Sequence, residues 1–147
     1  MKALNLPPYE FRIDNKDGVL RIFDGIRKKY LVLTPEEWVR QNFVRYLTEV
    51  KKYPASLVAM EIALKYNTLK KRADILIYDK SGAPLLMVEC KAPEVKISQD
   101  TFDQVARYNM AFKVKYLVVT NGMNHFCCSM DYDLQSYTFL ENIPDFV

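Results

Sequence analysis

RADILIYDKSGAPLLMVECKAPE, residues 72–94, carries two short apolar runs, Ala73 to Tyr78 and Pro84 to Cys90, around the turn Asp79-Lys80-Ser81-Gly82. Short β-branched runs flanking turn residues read as an antiparallel hairpin. Pairing the strands about that turn sets Asp79 opposite Pro84, Tyr78 opposite Leu85 and Asp74 opposite Glu89. The two carboxylates then become cross-strand neighbours about 5 Å apart at Cβ. Strand alternation puts Lys91 on the face of Glu89 and turns Cys90 the other way with Val88 and Leu86. A slip of one residue would separate the three charges.

Two carboxylates held together among apolar neighbours repel each other and resist burial, so they call for a compensating cation. Mg²⁺ takes such oxygen ligands and leaves coordination positions to water and phosphate. Lys91 could add positive charge where a phosphorane-like transition state develops negative charge, or help position the attacking water. The spacing therefore suits a metal-dependent phosphodiesterase centre. The plainer alternative is an ion pair in which Lys91 neutralises Glu89 at a strand end.

Upstream, Thr34 is a good N-cap, Pro35 sits at N1 where its missing N–H costs nothing, and Glu37 at N3 completes a capping box. Val39, Phe43, Tyr46, Leu47 and Val50 recur at helical spacing, which predicts a helix from about Pro35 to Lys51, ended by Pro54. Before it, Tyr9 to Ile13, Leu20 to Phe23 and Tyr30 to Leu33 read as strands with turns at Asn15 to Gly18 and Asp24-Gly25, and Arg27 to Lys29 as a solvated flank. Between that helix and the hairpin, Val58 to Tyr66 reads as a strand and Asn67 to Arg72 as a polar connection. Downstream, Ser98 caps a second helix from about Gln99 to Met110, with Phe102, Val105, Ala106 and Asn109 on one face. Tyr116 to Val119, His125 to Met130 and Tyr137 to Leu140 read as further strands, the first two joined by Asn121-Gly122. The order predicts one α/β domain, a central mixed sheet flanked by helices with N-terminal β-strands.

The 147 residues fit one domain with a real core, half of them being apolar or Tyr/Cys. Lys and Arg number 21 against 18 Asp and Glu, a net charge of +3 that is too small to announce a nucleic-acid binder by itself. Three Cys without a CxxC unit suggest neither a disulfide framework nor a zinc ribbon, which points to a reducing cytoplasm. Cys90, Cys127 and Cys128 read as small buried hydrophobes. There is no signal-peptide pattern, no apolar run long enough to span a bilayer, and no GxxxxGK[ST], GxGxxG or HExxH motif. With His125 the only histidine, neither a His cluster nor a Ser-His-Asp set is expected, and His125 is expected to pack beside the last strands.

The segments TPEEWVRQNFVRYL, KRADILIYD, LLMVECKAP, TFDQVARYN and YLVVTNG, between about Tyr30 and Asp131, resemble the PD-(D/E)xK nuclease superfamily. More closely, they resemble the N-terminal nuclease domain of the R subunit of type I restriction enzymes. That resemblance implies a restriction-endonuclease-like core over 34–131, with an N-terminal β extension over 1–33 and an edge strand and tail over 132–147. It implies that Asp74 and Glu89 bind Mg²⁺, with Mn²⁺ as substitute, and that Lys91 is the catalytic lysine. The carbonyl of Cys90, between acid and lysine, would be a further metal ligand. The first-helix acid maps to Glu37, which also has a complete role as a capping residue, and Glu61 is a further candidate acid. The QxxxY element maps to Gln104 and Tyr108, four apart on one helix face, and would orient the site or contact the DNA backbone. Ala73 stands where the family often has Pro.

Lys70, Arg72, Lys96 and Arg107, with Lys71, Lys113 and Lys115 nearby, could flank the cleft and meet phosphates, although charged residues beside strands are commonly just solvated. Trp38 reads as filler rather than as a base-stacking platform. The expected function is thus Mg²⁺-dependent cleavage of DNA, double-stranded by preference. The alternative is a non-catalytic nucleic-acid-binding or assembly module on the same fold. The 147 residues contain no motor, so separately encoded restriction-system or motor subunits are expected partners; a homodimer is left open.

Overall fold

The computed structural model describes residues 1–147 apart from 67, 68 and 111, and of 63–66 and 69–71 the backbone alone. Three strands, β1 (Ile13–Lys16), β2 (Val19–Asp24) and β3 (Lys29–Val32), form a small antiparallel sheet. The first strand starts four residues later than its apolar content suggests and runs into the expected turn. Asp17 and Gly18 both take positive φ (53° and 85°), so a two-residue turn joins Lys16 directly to its partner Val19.

Helix α1 (Pro35–Glu49) leads to a 3₁₀ turn at Ala55–Leu57 and then to β4 (Val58–Tyr66), β5 (Leu69–Tyr78) and β6 (Pro84–Cys90). Helix α2 (Gln99–Asn109) follows, then β7 (Tyr116–Thr120), β8 (His125–Asp131) and β9 (Ser136–Leu140). The six later strands form one mixed sheet in chain order. All neighbours are antiparallel except β6 and β7, which α2 joins in parallel. Of the polar connection expected over 67–72, residues 69–72 are strand instead, because β5 begins at Leu69 and pairs with β4 through Arg72 opposite Ala63, while 67 and 68 lie outside the described residues.

Alternation explains how two helices are carried. Ile75, Ile77, Leu86 and Val88 pack on Val39, Phe43 and Leu47 of α1, whereas Leu76, Met87, Leu117 and Val119 pack on Phe102, Val105 and Ala106 of α2. The hairpin has the expected register at Ile75–Val88, Leu76–Met87 and Ile77–Leu86. It departs at the turn, where Tyr78 pairs with Pro84 instead of Leu85. Asp79 draws the turn in, since its Oδ1 accepts from the N–H groups of Ser81 (2.8 Å) and Ala83 (3.0 Å), and one residue bulges.

Gly122 allows the N-terminal segment to lie against the α1 side. At φ +83° a Cβ there would stand 2.8 Å from Leu4, and the Gly122 carbonyl accepts from the Asn5 N–H at 2.9 Å. His125 completes that junction. Its Nε2 lies 2.9 Å from the Asn5 carbonyl, which can only accept, so Nε2 carries the proton and Nδ1 accepts from the Thr120 hydroxyl at 2.7 Å. Burial pushes the ring below its ordinary pKa of 6.5, the Asn5 contact opposing that only in part. The unfolded chain therefore takes up a proton on His125 before the folded one does. Stability is present above about pH 6.5 and declines as pH falls through the lower folded value. The thermal midpoint should drop between pH 7 and pH 5 in the parent, and that slope should flatten in His125→Gln; identical slopes would show that His125 does not carry the effect.

Candidate metal centre

The paired register of β5 and β6 begins at Ile75–Val88, and one step beyond it the Asp74 carboxylate takes over from backbone pairing. Its Oδ2 accepts from the Cys90 N–H at 2.7 Å, which ties the middle of β5 to the end of β6, beside Glu89 and Lys91. Asp74 is 8% exposed, Glu89 and Lys91 are half-buried, and Lys91 Nζ stands 3.5 Å from Glu89 Oε1. The ion pair foreseen as the plainer alternative is therefore present. The loop after β6 is pinned from β7, because Asn121 Nδ2 donates to the Val95 carbonyl at 2.8 Å.

Arg40, on α1, has no counterpart among the residues singled out from the sequence. Its guanidinium is buried and meets four carboxylates: Glu37 at 2.7 Å through Nη1, and Glu36 (2.9 Å), Glu61 (2.8 Å) and Asp74 (2.9 Å) through Nη2. Its buried Nε–H finds no acceptor among the described residues, so the two terminal nitrogens fix its orientation. Burial would lower its pKa, but the charges of Asp74 and Glu37 outweigh that and raise it, so the group stays charged.

The backbone of Glu37 takes its expected place in the cap, while its carboxylate is turned to the arginines. Thr34 Oγ1 does cap the Glu37 N–H at 3.0 Å, but the Glu37 carboxylate does not return to Thr34. Its oxygens accept from Arg40, from Arg27 Nη2 at 2.9 Å and from Gln41 Nε2 at 2.9 Å. Arg27, expected on a solvated flank, is drawn inward to Glu37 and to Asp24, which is fully buried at the end of β2. Burial works against the charge on Asp24, yet hydrogen bonds from Arg27 hold its carboxyl below the usual range. A chain of alternating charge thus runs from the small sheet through Asp24, Arg27, Glu37 and Arg40 to Asp74.

Glu61, on the edge strand β4, turns its carboxylate toward this chain. It lies at φ +54° in the middle of β4, a left-handed conformation that costs a non-glycine residue about 1–3 kcal/mol, and its carboxylate reaches Arg40 and, at 3.4 Å, Arg72. The remaining candidates lie on the surface. Arg72, Lys96, Gln104, Arg107 and Tyr108 are exposed, with Gln104 and Tyr108 one turn apart on the outer side of α2; the side chain of Lys70 lies outside what is described. Trp38 donates to the Lys2 carbonyl at 2.8 Å and stacks edge-on with Phe11. Cys90, Cys127 and Cys128 are free and buried, and burial pushes the thiols of Cys127 and Cys128 up to about 12.

The missed residues left one signal. Glu37, Arg40, Gln41 and Val44 follow the i, i+3, i+4, i+7 spacing of a helix face, alongside the apolar stripe of Val39, Phe43 and Leu47. All seven are buried. Polar residues beside a core stripe at that spacing mark an interior polar network.

A hard cation can be tested against these groups by their chemistry. Among the described residues no group of three or more His, Cys, Asp and Glu side chains is arranged to hold an ion. Mg²⁺ does not require one, since it commonly binds through one or two carboxylates and keeps several waters. Each Asp74 oxygen accepts one hydrogen bond from protein and retains a second lone pair. Asp74 therefore keeps lone pairs that a cation could take, whereas the Glu37 oxygens are already engaged by three donors.

A mixed sheet with a helix on each face and an acid pair at the open end of its central hairpin is a restriction-endonuclease-like architecture. The profile of the family described as Type I restriction enzyme R protein N terminus (HSDR_N) matches residues 35–144, and the chain belongs to that family. No curated protein sequence matches it. Among solved structures it is similar to a fragment described as that of an HsdR subunit of a type I restriction enzyme from Vibrio vulnificus YJ016, at 20% identity and a TM-score of 0.52. That match covers 77% of this chain and 24% of the other, so the chain corresponds to about a quarter of that protein fragment.

The position of Glu37 leads to a measurable expectation. Glu37→Gln leaves Arg27 and Arg40 short of a buried counter-charge and should cost about 3 kcal/mol in urea unfolding. Mn²⁺ affinity should stay within about threefold of the parent in the same preparation. Loss of Mn²⁺ binding without loss of stability would make Glu37 a metal ligand instead of part of the frame.

Proposed function

We propose that this chain is a Mg²⁺-dependent endodeoxyribonuclease domain that hydrolyses phosphodiester bonds in DNA. The observation that carries the reading is the Asp74–Cys90 hydrogen bond, which anchors one acid at the strand end bearing Glu89 and Lys91. Family membership supports it, and so does the exposure of Lys91, 32% at the side chain, beside a partly buried acid. Asp74, Glu89 and the Cys90 carbonyl would hold the cation. When bound, a hard divalent ion polarises a phosphodiester oxygen and lowers the pKa of a coordinated water.

In this reading Lys91 would meet the charge that grows on the phosphate as water adds to phosphorus and the bond to the leaving sugar oxygen breaks. A lysine side chain there would offset that charge, stabilising the transition state more than the ground state. Arg72, Lys96 and Arg107 offer exposed charge to the duplex backbone, and Gln104 and Tyr108 a polar pair for orientation. Lys70 belongs to the same proposed contact set. A restriction-system motor would supply the DNA, in the cytoplasm.

One observation favours a second reading. Both oxygens of Asp74 are already held by protein donors, so the frame closes without a metal, as a non-catalytic DNA-binding or assembly module would require. Supercoiled plasmid separates the two. Nicking or cutting in Mg²⁺ but not in EDTA, lost by about 100-fold or more in Lys91→Ala while fold and Mn²⁺ affinity persist, is the expected result. Gln104→Ala should cost less. Equal rates in the parent and in Lys91→Ala, purified alike and followed for hours at high concentration, would leave the binding module as the better account.

A further inference from the structure

The carboxylates around Asp74 belong to a larger set of ion pairs. Asp24, Glu36, Glu37, Glu61, Asp74 and Glu89 pair with Arg27, Arg40, Arg72 and Lys91, six negative groups against four positive ones, a net charge of minus two among these described residues. The arrangement is also directional. Nη2 of Arg40 lies between Asp74 and Glu61 at 2.9 and 2.8 Å, on the very oxygens that a second ion bridging β4 and β5 would need. Two-metal phosphodiesterase sites place their ions about 3.5–4 Å apart and share a carboxylate between them. Here a guanidinium, 6% exposed and anchored on α1, already fills the space on one side of Asp74.

We infer that Arg40 stands in for a second metal ion, acting as a built-in cation that holds Asp74 and Glu61 together and limits this chain to one divalent cation, bound between Asp74 and Glu89. This rests on the metal reading of the proposed function. Arg40 is a positioning residue: it touches the acid that would hold the ion and keeps that acid in place before any ion binds. Because a guanidinium is fixed in the chain, the acid pair is ordered at any metal concentration, and the affinity for one ion is bought without a requirement for two.

The removal of the charge has a specific consequence. In Arg40→Met, Glu37, Glu61 and Asp74 face one another with no cation between them, and like charges at that spacing favour uptake of a divalent ion. In Arg40→Lys a cation remains, and no such ion is called for.

Titration calorimetry with Mn²⁺ and thermal unfolding with and without Mn²⁺ test this on the parent and both variants. The parent and Arg40→Lys should bind one Mn²⁺ per chain and show similar stabilisation. Arg40→Met should take up a second Mn²⁺ and gain about 5 °C more in its thermal midpoint than the parent at saturating metal. Arg40→Met binding one ion with the parent's thermal gain would overturn the inference. So would two ions bound by the parent, a result that leaves the proposed metal site standing and removes only the role of Arg40. No binding by the parent would overturn the metal reading itself, and the inference with it. Should Arg40→Met fail to fold even in Mn²⁺, electron paramagnetic resonance of the saturated parent decides the point: isolated ions are expected, and a spectrum of dipolar-coupled Mn²⁺ pairs would overturn the inference.

Discussion

A single guanidinium ties the first helix to the two strands at one edge of the large sheet. Arg40 projects from α1, pairs with Glu36 and Glu37 on its own helix, and reaches Glu61 on β4 and Asp74 on β5. Through Glu37 it is linked to Arg27 and Asp24, and so to the small N-terminal sheet. Taking charges of this kind out of water is costly, and their attraction offsets that cost only when each retains well-placed partners. Here the partners alternate in sign along the whole chain. Removing one member leaves a buried charge uncompensated, a loss of about 3–5 kcal/mol that few domains of this size could absorb without consequence.

The same network divides the acids by task. Glu36, Glu37 and Glu61 are engaged with arginines and hold the geometry. Asp74 is shared, with one oxygen toward Arg40 and the other on the Cys90 N–H. Glu89 and Lys91 stand at the accessible end of β6, where a substrate phosphate could approach. The left-handed backbone at Glu61 is part of this arrangement, since strain of that kind persists only where surrounding contacts enforce it.

Much of this was legible in the residues themselves. Two capped helices, the strand after α2 and the register of the central hairpin follow from alternation, capping and turn chemistry, all of them local signals. The misreadings share a cause. Arg27 looked like a solvated flank and Arg40 was not singled out at all, because the partners each one has in the fold are remote in the chain. Glu37 and Arg27 are ten residues apart, and Arg40 and Asp74 thirty-four. Ion pairs at that separation leave no periodic trace, and the one visible sign was a polar stripe on α1 beside its apolar one. The bulge at Tyr78 was hidden for a similar reason, since it arises from side-chain hydrogen bonds of Asp79 that strand pairing rules do not contain.

A crystal structure of the chain grown in Mn²⁺, with anomalous diffraction recorded at the manganese edge, tests the account most directly. It predicts one anomalous peak between the carboxylates of Asp74 and Glu89, with ligand distances of about 2.0–2.3 Å and Arg40 still bonded to Asp74. No peak at that position in crystals saturated with Mn²⁺, while peaks appear elsewhere on the surface, would contradict it.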